Sequence, residues 1–214
     1  INQFLSLILF LKNKKIKKLV YASSSSVYGN SKYKLKCENH PLKPISPYAA
    51  SKLANESHAE IYANKNLKIV CLRFFNIYGK KQSEDINFSA VIPQWILQIK
   101  KNNTINVFGN SVREFCHVDD AINAIILSAF KNFKKHHEIF NISGGKPITI
   151  RKMAKIFANI FGNSKTRINY FSSREGDVAT ARASLHKSKK FLGYRPQVKL
   201  KDGLNFIKQD FHHV

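Results

Sequence analysis

Two hydrophobic periods alternate along the chain, and the switches between them lay out its elements. Residues 4–13, "FLSLILFLKN", carry apolar side chains over more than two turns and read as a helix. The continuous run Phe4–Leu11 is far shorter than the ~20 residues that span a bilayer. Polar Asn2 and Gln3 precede it where a signal peptide would be basic, so a buried amphipathic helix is expected. A short β-prone run, Lys18–Ala22, then ends in four serines, "VYASSSSVYG". The next helix covers residues 46–64, with Ser46 as N-cap and Pro47 at the first helical position, where its missing N–H costs nothing.

Leu67–Phe74, "LKIVCLRF", is a continuous apolar run that predicts a buried strand closed by "FNIYG". Helices are expected at Ala90–Lys101, Val118–Phe130, Ile150–Phe161 and near Leu185–Phe191, with a short strand at Ile105–Phe108 and another at "EIFNISGG". Strands alternating with helices imply an α/β fold whose parallel strands are joined by crossover helices. No internal repeat interrupts the pattern.

Composition narrows this picture. The 214 residues suffice for one domain, or one and a small second lobe, and 43% hydrophobic with 12% aromatic residues is the make-up of a globular chain. The formal charge of +23 would suit a nucleic-acid partner. However, the lysines fall in short runs such as Lys12–Lys18, Lys131–Lys135 and Lys187–Lys190, interleaved with apolar residues as on helix faces. With the abundant Asn and Ile they read as compositional bias, so neither a nucleic-acid nor a membrane partner is expected; a phosphate-bearing substrate would profit from the same field. Cys37, Cys71 and Cys116 are isolated, with no histidine at ligand spacing. That suggests neither a disulfide framework nor a zinc site, and a reducing cytoplasm is the simplest compartment.

The candidate chemistry begins at "SPYAASK". Tyr48 and Lys52 stand at i and i+4 and share a helix face. A phenol alone is a poor base near neutrality, but an adjacent ammonium stabilises the phenolate and makes Tyr48 a candidate general base. Taken alone, the pair also fits a solvated helix start. The serine-rich turn adds hydroxyls at the carboxyl end of a parallel strand, where open α/β sheets bind ligands.

In order along the chain, "VYASSSSVYG", "SPYAASK", "LRFFNIYG", "AVIPQW", "REFCHVDD", "FNISGG" and "REGDV" resemble the motifs of extended short-chain dehydrogenase/reductases, specifically the nucleotide-sugar epimerases and dehydratases. The resemblance implies a Rossmann-type doubly wound parallel sheet, NAD as cofactor and a UDP-sugar substrate. It implies that residues 1–85 form the second part of the Rossmann-type domain, and that 86–214 form a smaller, mainly substrate-binding domain returning about 118–143 to the sheet. It assigns Ser24 as the hydroxyl that bonds the reacting sugar oxygen, with Ser25 and Ser26 lining the same pocket. Tyr48 becomes the base and Lys52 also bonds the nicotinamide ribose, with Asn2 and Phe75 near the cofactor. Asn76, Arg113 and Arg174 are implied for the diphosphate, Val91 and Ile92 for the uracil, and Asp177 for the ribose or uridine hydroxyls.

Dehydratases of this family usually carry an acidic residue just after the reacting serine; here those slots are Ser25 and Ser26, which favours epimerisation or simple redox over elimination. Ala181 stands where epimerases restricted to unsubstituted sugars have a large aromatic, leaving room for a 2-acetamido group. The resemblance is thus strongest to UDP-N-acetylglucosamine 4-epimerases of surface-polysaccharide pathways, homodimeric when full length. UDP-glucuronate and UDP-glucose 4-epimerases stay open. The loop "FGNSVREF" is about two residues shorter than the family's turn, which bears on the reach of Arg113. No Gly-x-x-Gly-x-x-Gly turn occurs in the chain. The expectation is therefore of a chain lacking the amino-terminal glycine-rich part, and a catalytically inactive relic with the same fold is the remaining alternative.

Overall fold

The structure, a computed structural model, describes residues 1–82, 90–173 and 180–211. Helix α1 (Asn2–Asn13) leads into strand β1 (Lys18–Ser24), helix α2 (Pro47–Tyr62) into β3 (Lys68–Phe74), and α4 (Val118–Phe130) into β8 (His137–Ile142). These three strands form one parallel sheet in the order β1-β3-β8. β3 is central, and all but its first residue are buried, which is why its sequence is a continuous apolar run. Parallel pairing collects every carboxyl end at one pole, where Ser24 is opposite Phe74 and Phe74 opposite Ile142.

α1 covers one end of this sheet. Phe4, Ile8 and Leu11, at helical spacing, pack with Ala59 of α2 and with Leu67 and Ile69. Only Ile8 of the helix is fully buried, and Leu7, Leu9 and Phe10 are exposed. The expectation of a buried helix is corrected on this point: α2 and the sheet cover one face of it, and the apolar residues outside that stripe meet solvent.

A second lobe is built from short strands. β5 (Thr104–Phe108) pairs with β10 (Arg167–Phe171), and β2 (Leu35–Lys36), β11 (Thr180–Ala183), β6 (Val112–Glu114) and β9 (Pro147–Thr149) join in that order. β4 (Ile77–Tyr78) pairs with β7 (Cys116–His117) and ties the lobe to the end of β3. Helices α3 (Val91–Asn102), α5 (Ile150–Phe161) and α6 (Leu200–Phe211) supply its core, in which Trp95, Met153, Phe157 and Leu204 are almost wholly buried. α5 shows how the sequence sets this up. Thr149 caps its first turn, and Ile150, Met153, Ala154, Phe157, Ile160 and Phe161 make one buried stripe.

Candidate functional site

The site starts where β1 ends. Its last residue, Ser24, caps a single 3₁₀ turn, Ser25–Tyr28: Ser24 Oγ accepts from the Ser26 amide at 3.2 Å and from Ser26 Oγ at 2.9 Å. With two hydrogen bonds accepted, the Ser24 hydroxyl has its own proton left to donate. The turn closes at Gly29, whose φ is +53°. A Cβ there would stand 1.6 Å from the Lys43 carbonyl oxygen, so only glycine lets the chain pass.

α2 approaches the same strand end. Ser46 Oγ accepts from the Ala49 amide at 3.2 Å and Pro47 opens the helix, as the sequence predicts. Tyr48 is 56% exposed. Lys52 Nζ donates to the Ala22 carbonyl of β1 at 3.0 Å and lies 5.7 Å from the centre of the Tyr48 ring. The ammonium is thus fixed to the strand that carries the serines, beside a phenol open to a ligand.

One turn beyond Lys52, on the same face, Glu56 is 4% exposed and pairs with Arg73 of β3, 2% exposed. Arg73 Nη2 donates to Glu56 Oε2 at 2.7 Å and Nε to Oε1 at 3.0 Å, while Ser23 Oγ donates to Oε1 at 2.5 Å. Arg73 Nη1 donates to Tyr28 Oη at 2.9 Å and to the Glu38 carbonyl at 3.1 Å, and Tyr28 Oη donates to Asn141 Oδ1 at 2.7 Å. Burial, opposed by Arg73, pushes the Tyr28 phenol up to about 12, so it stays protonated and can donate. The network locks the serine turn, α2 and β3 together from beneath. Sequence reasoning missed Glu56 and Arg73. The signal for Glu56 was its place at i+8 from Tyr48; its partner lies 17 positions on and is paired only by the fold.

β3 ends in Phe74, Phe75 and Asn76, and Asn76 turns with φ +39°. Its Nδ2 donates to the Glu114 carbonyl at 2.8 Å, fixing it against β6. Two cavities meet at this point. One, about 330 Å³, is lined by Ser24, Ser25, Ser26, Phe75, Lys36 and Ala181 together with Asn76 and Arg113. The other, about 280 Å³, also contains Asn76 and Arg113 and continues along Val91, Ile92, Trp95 and Phe108. Among the described residues no side chain caps the first turn of α3, where Ala90, Val91 and Ile92 line this second cavity.

The shortened loop does not take Arg113 away. β6 pairs with β11 so that Arg113 is opposite Ala181, and both line the first cavity. Beneath them Glu114 is buried, accepting from Ser143 Oγ at 2.5 Å and from the Ala183 amide at 3.2 Å. Burial raises its carboxyl above the ordinary range, against the pull of those two donors and of Arg182.

The structure therefore gathers Ser24, Ser25, Ser26, Phe75, Asn76, Val91, Ile92, Arg113 and Ala181 around the two cavities, with Tyr48 and Lys52 on the helix beside the serine strand. Asn2, in the first turn of α1, is exposed and lines neither cavity. Arg174 and Asp177 lie outside the described residues. No group of His, Cys, Asp or Glu suited to a metal ion occurs among the described residues.

Comparison with known proteins gives this geometry a family. A UDP-glucuronate 4-epimerase of Thermodesulfobacterium geofontis is 31% identical over 204 residues, covering 94% of this chain and 61% of that protein. A UDP-N-acetylglucosamine 4-epimerase from Methanobrevibacter ruminantium, solved in complex with UDP-N-acetylmuramic acid, superposes with a TM-score of 0.91 at 29% identity, over 100% of this chain and 68% of that one. A UDP-glucose 4-epimerase from Thermotoga maritima, solved with UDP-glucose, gives 0.89 at 28% identity over 98% and 68%. The chain spans about three fifths of the length of the curated relatives it matches. The model of the NAD dependent epimerase/dehydratase family matches residues 2–143, from α1 through β8 and the serine, tyrosine and asparagine motifs, and the chain belongs to that family.

Proposed function

We propose that the protein carrying this chain interconverts a UDP-sugar and its 4-epimer, with UDP-N-acetylglucosamine and UDP-N-acetylgalactosamine as the pair, to supply surface polysaccharide synthesis. The observation that carries the reading is the pair of cavities joined at Asn76 and Arg113. One end offers hydroxyls to a polyol, the middle offers an amide and a guanidinium to a diphosphate, and the far end offers apolar walls to a flat base. A guanidinium fork suits phosphate oxygens. Arg174 and Asp177 belong to the same reading as further contacts to the diphosphate and the ribose.

In this reading Ser24 donates its free proton to the oxygen on carbon 4, holding it toward Tyr48. Tyr48 takes the proton of that hydroxyl as the carbon is oxidised and returns it when the carbon is reduced from the opposite face. Lys52 stabilises the phenolate and, with Tyr48, holds the ribose next to the nicotinamide, with Asn2 and Phe75 nearer that end. NAD supplies the acceptance and return of hydride. The exposed phenol beside an ammonium anchored on Ala22 fits that reactive end. Ser25 and Ser26 offer no carboxyl to drive elimination. A cytoplasmic homodimer completes the reading.

Ala181 supports the 2-acetamido sugar, since a methyl side chain leaves the first cavity open beside the serines. A second reading, UDP-glucuronate, is favoured by Lys36, a cation lining the same cavity whose Nζ donates to the Ser31 and Tyr33 carbonyls at 3.0 and 2.6 Å. Incubation with NAD⁺ and each of UDP-N-acetylglucosamine, UDP-glucuronate and UDP-glucose, followed by proton NMR, separates the readings. Fastest appearance of the N-acetylgalactosamine epimer is expected, whereas binding of all three sugars without conversion of any would defeat the proposal.

A further inference from the structure

The pole opposite the serine turn carries a second surface. The three strands of the parallel sheet begin there, and the segments that feed them bring lysines without an acid. Lys12, Lys14, Lys15 and Lys17 sit at the end of α1 and the turn into β1, Lys65 precedes β3, and Lys131, Lys134 and Lys135 precede β8; all are exposed. Residues 12–17, 63–68 and 129–136 contain no Asp or Glu, although an exposed acid, Glu60, stands beside Ile61 in the last turn of α2.

In sequence these are separate runs, which is why they read as compositional bias and no membrane partner was expected. Parallel pairing makes them one surface. The Lys68 amide donates to the Lys17 carbonyl at 2.9 Å and the Ile69 amide to the His136 carbonyl at 2.8 Å, so the three segments adjoin. Two further lysines fasten the third segment to the sheet. Lys18 Nζ donates to the Ala129 and Lys131 carbonyls at 2.6 and 2.7 Å, and Lys68 Nζ to the Phe133 carbonyl at 2.6 Å. Between the first two segments lies a recess of about 540 Å³, lined by Lys12, Lys15, Lys17 and Lys65 together with Asn64 and Asn66. Apolar side chains stand exposed on the same pole: Phe10 at 55%, Ile16 at 41%, Ile61 at 74% and Phe130 at 84%.

We propose that this pole docks on an anionic phospholipid bilayer, a headgroup phosphate entering the lysine recess and the four apolar side chains entering the interface. Clustered lysines are drawn to an anionic leaflet, and interleaved aromatic and aliphatic residues take up the headgroup–acyl boundary. The alternative polyanion, nucleic acid, fits less well. None of the arginines, the residue that reads phosphates and bases by its planar fork, lies in these segments. Phe130 and Ile61 would also gain no apolar medium against a phosphodiester backbone. Docked this way, the carboxyl ends of β1, β3 and β8, and the candidate site beyond them, face away from the membrane, open to soluble nucleotides.

Vesicle flotation of the whole protein tests this without reference to any activity. Binding to vesicles of phosphatidylcholine mixed with phosphatidylglycerol should exceed binding to pure phosphatidylcholine by at least roughly tenfold, and fall sharply near ~1 M salt. The variant Lys15→Glu/Lys17→Glu/Lys134→Glu/Lys135→Glu should lose it. Lys152→Glu/Lys155→Glu/Lys165→Glu/Lys199→Glu, which makes the same charge change on exposed lysines of the other lobe, should keep it. Phe10→Ser/Phe130→Ser should weaken it severalfold with an unchanged circular dichroism spectrum. Equal loss in both charge variants would show a response to net charge alone and overturn the proposal. So would absence of binding, or equally tight binding of polyuridylate with the same dependence on the four pole lysines.

Discussion

Replacing Arg73 by Met removes the counter-ion from a carboxylate that the fold has closed off from water. Glu56, 4% exposed, would keep the Ser23 hydroxyl at 2.5 Å and the Cys71 thiol at 3.5 Å, but would lose both guanidinium bonds, at 2.7 and 3.0 Å. Tyr28 and the Glu38 carbonyl would each lose a donor as well. Breaking a buried pair from one side costs about 3–5 kcal/mol, because a desolvated charge is left unpaired. In a chain of this size each kcal/mol lowers Tm by ~2–4 °C, so the loss should be roughly 6–20 °C. The double variant Arg73→Met/Glu56→Leu takes away both charges and fills the space with apolar groups, and it should recover at least ~2 kcal/mol of the loss. Urea unfolding of wild type, both single variants and the double variant measures the cycle. A cost below ~1 kcal/mol for Arg73→Met, or a double variant whose loss equals the sum of the single losses, would refute the claim that this pair fastens the serine turn to α2.

Three further predictions concern the site. Tyr48→Phe should lower turnover by roughly 10²–10⁴-fold with nucleotide-sugar affinity nearly unchanged, since a general base acts on the chemical step; an unaltered rate would remove Tyr48 from that role. Glu114 holds its proton more tightly when folded, so the wild type should lose stability as pH rises from the ordinary carboxylate range near ~4.3 through the raised value. Glu114→Gln cannot titrate, and its stability relative to wild type should climb over that window and then level off; urea midpoints at stepped pH would show it, and the opposite slope would contradict the burial argument. Gly29→Ala should cost at least ~1–3 kcal/mol from its +53° φ alone, with more from displacing Lys43, read by thermal unfolding.

Much of the fold was legible where local chemistry and burial agree. β3 announced itself as an uninterrupted apolar run because it is covered on both faces, and α2 because Ser46 and Pro47 mark a helix start. The helix expected near Leu185–Phe191 is present as a short helical segment over 186–192 that ends in the π-type turn Ser188–Leu192, but α6 beyond it was missed. Gly203 disguises α6, and it is there for packing, since a Cβ would lie 2.3 Å from the Tyr78 hydroxyl. β10 and β11 are absent from the sequence expectations because their residues are mostly exposed or half-buried, and only their partners make them strands. At the site, Tyr48 and Lys52 were readable from spacing within one helix. The reach of Arg113 was not, because β11 sets it rather than the length of the preceding loop. The Glu56–Arg73 pair and the lysine pole share that limit: each depends on which strands lie side by side.

The central claim is that carbon 4 of a UDP-sugar is transiently oxidised beside Tyr48 and reduced again from its other face. The most direct measurement is to supply UDP-N-acetylglucosamine deuterated at carbon 4, with NAD⁺ in ordinary water, to the protein carrying this chain and to analyse the product by NMR. The account predicts the N-acetylgalactosamine epimer with the deuterium still on carbon 4, because the hydride that leaves is the one that returns. Product carrying solvent hydrogen at that carbon, or a bound UDP-sugar that never changes, would contradict it.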